Sequence, residues 1–145
     1  RGFYRMNHGD SIGAIEDFTT AIALDEFDTE PLFYRGKIYV GRKDWKNAER
    51  DFSAALALEE QNPGYILARG QARYIAGNLT GALADFTQLI ANDPENPSGY
   101  YHRGITFQRM KNLTEACSDL LKASEMGMSQ AKSAWEKTCG PKAQK

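Results

Sequence analysis

The chain has 145 residues, 41% hydrophobic and 26% charged, with 18 Lys and Arg against 19 Asp and Glu for a formal charge of -1. That length supports one continuous core, and the near-balanced charge removes any global pull toward nucleic acid or an anionic membrane. Apolar runs are short and broken by charges, far below the roughly 20 residues of a membrane-spanning helix, and Arg1-Gly2-Phe3-Tyr4-Arg5 is not a charged-then-apolar leader.

The dipeptide Arg-Gly stands at Arg1-Gly2, Arg35-Gly36, Arg69-Gly70 and Arg103-Gly104, each 34 residues from the next. A period of this length is that of one helix-turn-helix unit in a stacked solenoid, and it points to a binding scaffold. In chain order, the first helices are predicted at about 1-8, 30-41, 64-76 and 98-110, the second helices at about 11-25, 45-59, 79-92 and 113-126, and a closing helix at about 129-139. The units then run over about 1-28, 29-62, 63-96 and 97-130, giving a single array over 1-139 and a tail at 140-145. Arg1 falls inside a unit, so the array is expected to be cut from something longer.

Eight residues after each Gly stand Asp10, Asp44, Asn78 and Asn112, all types whose side chains accept from free amides at a helix start. Gly9 and Gly77 before two of them are suited to end the preceding helix in a left-handed conformation, whereas Lys43 and Lys111 stand before the others. Further on come Ala14, Ala48, Ala82 and Ala116, then Phe18, Phe52, Phe86 and Leu120, then Ala21, Ala55, Leu89 and Ala123. Steps of four and three put these on one helical face, small then large then small, which lets two backbones approach around a ring. Pro31, Pro63, Pro94 and Pro97 punctuate the turns between repeats.

The Gly, Ala, Phe or Leu, Ala pattern on a 34-residue period resembles the tetratricopeptide repeat family from Arg1 to about Gln130. The resemblance implies an all-α fold, a right-handed superhelix of helix-turn-helix repeats with a C-terminal capping helix. The family's first-helix aromatic is present as Tyr39 and Phe107 but replaced by Arg5 and Arg73, and its turn Pro is matched by Pro94 alone. The stretch from Ala123 to Ala131 is also similar to Sel1-like repeats.

In this family the first helices line a concave groove that takes a protein or peptide partner. By position, that groove would contain Phe33, Lys37, Val40, Leu67, Gln71, Tyr74, Tyr101, Ile105, Gln108 and Arg109. The set is largely apolar and aromatic, and part of it is expected to be ordinary core; Phe3 and Met6 extend it. The family's clamp for chaperone-tail carboxylates is not matched, since Tyr34, Ala68 and His102 stand where an Asn, or a clamp Arg, would be needed. An alternative is an assembly module whose open repeat ends stack on another copy, and another is a regulatory domain of a larger protein.

Every Arg-Gly Arg is followed sixteen residues later by Asp17, Asp51, Asp85 or Asp119. The expected role is a bridge between paired helices, repeated because the unit is repeated, rather than a catalytic carboxylate. His8 and His102 lie in different repeats without Cys or carboxylate at a metal-ligand spacing, and Gly36-Lys37 lacks the rest of a phosphate loop. No catalytic residue, metal or cofactor is expected. Asn78-Leu79-Thr80 and Asn112-Leu113-Thr114 are glycosylation sequons, but capping accounts for both Asn residues. Cys117 and Cys139 would come side by side if the last two helices are antiparallel, as a disulfide or as two buried thiols. Similarity to secreted bacterial arrays of the family favours the bridge, and with it the periplasm or extracellular space.

Overall fold

A computed structural model of the chain describes residues 1–141. Among them run α1 (Gly2–Asn7), α2 (Ser11–Leu24), α3 (Thr29–Gly41), α4 (Trp45–Leu58), α5 (Pro63–Ala76), α6 (Leu79–Asn92), α7 (Pro97–Arg109), α8 (Leu113–Glu125) and α9 (Ser129–Cys139). The predicted boundaries hold to within about one residue, because the period places each helix and the caps delimit it. Two compact units emerge, Arg1–Ala72 and one beginning at Arg73. Within the first, α2 packs on α1 and α3, and α3 on α4; within the second, α7 packs on α6 and α8, and α8 on α9.

The turn inside each repeat shares one backbone closure in all four copies and a side-chain cap in three. Asp10 accepts from the Gly13 amide at 2.9 Å, Asp44 from Asn47 at 3.2 Å and Asn78 from Gly81 at 3.0 Å. Asn112 holds the equivalent place at the start of α8, but its side chain makes no capping bond. In every copy the cap residue's own N–H reaches back five residues: Asp10 to the Arg5 carbonyl, Asp44 to Tyr39, Asn78 to Arg73 and Asn112 to Phe107, at 2.8–2.9 Å. That closure holds the intervening residue left-handed. Gly9 and Gly77 comply at φ of 79° and 91°, and Lys43 and Lys111 comply as well, at 60° and 63°. The lysines are held there against a cost of about 1–2 kcal/mol, so the turn follows from how its two helices pack rather than from a Gly.

The prolines depart from the expected pattern. Pro94 lies in a turn, but Pro63 and Pro97 open α5 and α7, and Pro31 is the third residue of α3. First-turn amides have no intrahelical acceptor, so Pro costs nothing there. Three further caps fall on the same 34-residue period at the starts of α3, α5 and α7: Asp28 accepts from Glu30 at 3.1 Å, Asn62 from Gly64 at 3.0 Å and Asn96 from Ser98 at 2.9 Å.

Phe18, Phe52, Phe86 and Leu120 are at most 3% exposed, and Ala14, Ala48, Ala82 and Ala116 are fully buried. Of the third set, Ala55 and Ala123 are buried while Ala21 and Leu89 are half-buried. The Arg-Gly glycine lies flat against this ring. A Cβ on Gly36 would stand 2.6 Å from Phe52 Cε1, one on Gly2 2.8 Å from Phe18, and one on Gly104 3.0 Å from Leu120.

Gly36→Ala should therefore destabilise by about 1–3 kcal/mol through overpacking. Gly41→Ala, at the end of the same helix with nothing within 4 Å of the added carbon, should be neutral or gain up to about 1 kcal/mol. Urea unfolding of the two variants checks the opposed signs.

Candidate functional site

The Arg-Gly arginines act as clamps. Arg35 holds Asp51 through both carboxylate oxygens, Nε to Oδ2 at 2.7 Å and Nη2 to Oδ1 at 2.8 Å. Its Nη1 donates to Thr19 on the preceding unit's second helix at 2.9 Å, so one guanidinium ties α2, α3 and α4. Arg103 repeats this with Asp119 at 2.7 and 2.9 Å, and reaches toward Thr87 at 3.5 Å. Arg69 likewise donates to Ser53 at 3.2 Å. Where Arg replaces the first-helix aromatic, that second Arg meets the carboxylate: Arg73 donates to Asp85 at 3.0 Å, and Arg5 Nε lies 3.4 Å from Asp17. The expected Arg1–Asp17 bridge is not formed; Asp17 turns to Arg5, and its buried Oδ2 has no hydrogen-bond partner. These carboxylates are structural acceptors that hold helices together.

In the first unit, Phe33 and Val40 pack against the buried Ala48, Phe52 and Ala72, so they belong largely to the core. Phe33 in turn meets Tyr34 edge to face and Tyr65 at a tilt, at ring separations of 5.3 and 5.0 Å. Lys37 stands exposed with its ammonium 5.6 Å from both the Phe33 and Tyr34 rings, while Leu67 and Gln71 are half-buried on α5.

In the second unit, Tyr74, Tyr101, Ile105 and Gln108 line one cleft of about 630 Å³. Arg109 holds its near edge: the guanidinium sits 5.0 Å over the Tyr74 ring and donates to the Tyr74 carbonyl. The opposite wall comes from α9, with Ser129, Gln130, Ser133, Ala134, Lys137 and Thr138. Gln108 bridges the two walls by donating to Thr138 Oγ1 at 2.7 Å. The α9 residues are not in the groove read from sequence, because the count from each Gly stops there: 34 residues beyond Gly104 stands Thr138. Extending the same count to Thr138 gives Trp135 and Cys139 instead, which do not line the cleft, so the repeat register does not mark this wall. Among the described residues, no carboxylate lines the cleft. Its donors are hydroxyls, amides and one ammonium, set among two aromatic rings and an aliphatic side chain, which suits a polypeptide more than a small charged metabolite.

Cys117 and Cys139 lie at disulfide distance, with Cα atoms 5.8 Å apart.

Residues 70–111 match the sequence profile of the TPR repeat. A search of curated protein sequences gives no match. Among solved structures, a crystal structure of MamA superposes with a TM-score of 0.87 at 19% identity, over 97% of this chain and 84% of that one. A tetratricopeptide repeat protein from Parabacteroides merdae gives 0.85 at 21% identity, over 96% of this chain and 57% of its own. The first TPR of Spaghetti (RPAP3), bound to the HSP90 peptide SRMEEVD, gives 0.70 at 19%, over 76% and 89%. The chain thus has the tetratricopeptide repeat fold.

Beside the cleft, His102 stacks on Phe86 at 5.2 Å, and burial pulls its pKa below the ordinary 6.5. Its folded-state value is depressed, so the unfolded chain takes up the proton first as pH falls. The contribution of the neutral ring is complete above about pH 6.5 and is lost progressively below it. Urea midpoints at pH 7.5 and 5 should fall further for the native chain than for His102→Phe; an equal fall in both would contradict this.

Proposed function

We propose that the protein is an interaction module that seats a peptide or short helix of a protein partner in the cleft between α7 and α9, and that it is not an enzyme. The observation that carries this reading is the cleft itself. Four of the groove residues legible in sequence, Tyr74, Tyr101, Ile105 and Gln108, converge there on a wall of hydroxyl and amide groups. Rings and Ile105 can take apolar side chains, while Gln108, Ser133 and Thr138 can bond a peptide backbone. The RPAP3 domain of the same fold is bound to a peptide, SRMEEVD. A chaperone-tail ligand is not proposed, because Tyr34, Ala68 and His102 occupy positions that the carboxylate clamp needs. Lys37, Leu67 and Gln71 of the first unit, with Phe33 and Val40 behind them and Arg109 in the second, are proposed as further contact surface. The Cys117–Cys139 bond favours a working compartment that is oxidising, the periplasm or the extracellular space.

Self-association is a second reading with one observation behind it. Phe3 and Leu24 are 42% and 84% exposed and line a separate cleft of about 400 Å³ in the first unit. On the favoured reading, light scattering should give a constant mass over a hundredfold concentration range; a mass that climbs with concentration would support stacking.

Peptides selected from a displayed library against the intact protein, then titrated by calorimetry, test the cleft. Tyr101→Ala should weaken the selected peptide at least tenfold, about 1.4 kcal/mol or more, with the helical circular dichroism unchanged. Unchanged affinity would sink the reading.

A further inference from the structure

We infer that the Cys117–Cys139 disulfide is a redox latch for the cleft: when it is intact, α9 stands as the cleft's second wall, and when a dithiol reduces it, the C-terminal half of α9 swings away and the cleft opens. The inference rests on the peptide-binding reading for its purpose, but on the geometry of α9 for its physics.

α9 packs along α8, but its full burial is confined to its first turn. At 11 residues it is shorter than the roughly 12–15 that persist alone in water, and Met128 at its start offers no side-chain cap. Ala131, in its first turn, is its one buried residue. Beyond that turn the helix is tied by the exposed Gln108–Thr138 hydrogen bond and the half-buried Trp135. Cys139 is the last residue of the helix, and it is bonded to Cys117 in the second turn of α8. The helix is therefore anchored at its start by Ala131 and at its end by sulfur. Between those anchors lie Ser133, Ala134, Lys137 and Thr138, which face the cleft. Cutting the far anchor leaves this stretch with little apolar burial to oppose its conformational entropy.

The bond is also reachable, since both cysteines are half-buried rather than enclosed. Reduction requires a dithiol reagent, by ordinary exchange. One thiolate of the reductant attacks one cysteine sulfur and displaces the other as a thiolate. The second reductant thiol resolves the mixed disulfide and closes its own ring disulfide. Two electrons pass to the cysteine sulfurs, which take up the two protons the reductant gives up. The reverse reaction, with any disulfide oxidant, rebuilds the wall.

Hydrogen exchange by mass spectrometry on the full chain, with and without dithiothreitol, reads the latch without a ligand. Amides from Ser133 to Cys139 should exchange at least tenfold faster after reduction, while those of α7 and α8 stay within threefold. Cys117→Ser with Cys139→Ser should reproduce this in the absence of reductant. In the Trp45→Phe chain, where Trp135 is the remaining indole, acrylamide quenching should rise on reduction. Unchanged α9 exchange overturns the inference. So does an equal loss of protection across α7 and α8, which would make the bond a general staple. A selected peptide that needs Tyr101 yet binds both redox forms equally overturns it too. Failure to select any peptide sinks the binding reading instead, and the exchange data still decide the latch.

Discussion

The contact on which the rest of the structure depends is a ring laid on a bare helix backbone. Phe52 reaches the Gly36 Cα so closely that a single added carbon would lie 2.6 Å from it. This approach sets the distance between the two helices of a repeat, and the buried Ala48 beside it lets the backbones stay close. With separation and angle fixed, the chain has one way to turn between them: the five-residue closure from Asp44 to the Tyr39 carbonyl. Lys43 is left-handed because that closure demands it. Packing therefore dictates the turn, and the local preference of Lys is overridden.

The same contact explains the position of Arg. The residue before Gly36 points past the ring to the neighbouring helices, where Asp51 and Thr19 receive its guanidinium. Gly and Arg divide the work: one sets the spacing within a repeat, the other ties that repeat to its predecessor. A bidentate pair this enclosed is worth little over an apolar substitute, but loss of one partner strands a buried charge. Its value lies in register, since only one alignment of three helices satisfies all the donors.

The clamps also reveal a longer period. Arg5 and Arg73 accompany Gly9 and Gly77, whereas Tyr39 and Phe107 accompany Lys43 and Lys111, so like units recur every 68 residues. In one kind, a second Arg from the aromatic's place meets the carboxylate; in the other, the aromatic stands aside and the Arg-Gly Arg takes both oxygens. Arg103 even lies 6.0 Å over the Phe107 ring. The fold was legible in sequence because spacing by four and three, repeated on 34, carries both helix boundaries and core. The choice of which Arg pairs with which Asp was not, because it depends on where a neighbouring side chain leaves room. The caps Asp28, Asn62 and Asn96 stand on the same 34-residue period and were legible in the same way.

The candidate site was half legible for the same physical cause. Tyr101, Ile105 and Gln108 belong to a helix with a Gly register mark, so their face could be counted. α9 has Thr138 where that Gly would stand, and no following helix packs a ring onto it among the described residues. Released from the need for a bare backbone, this helix carries a hydroxyl that Gln108 can reach. To the packing of α9 on α8, Cys139 bonded to Cys117 adds a covalent attachment at the far end of the helix. With its far end held by that bond, the wall's cleft-facing side chains are left free of core duty. The bond makes their position answer to chemistry as well as to burial, and that is what sets this end of the array apart from the repeats.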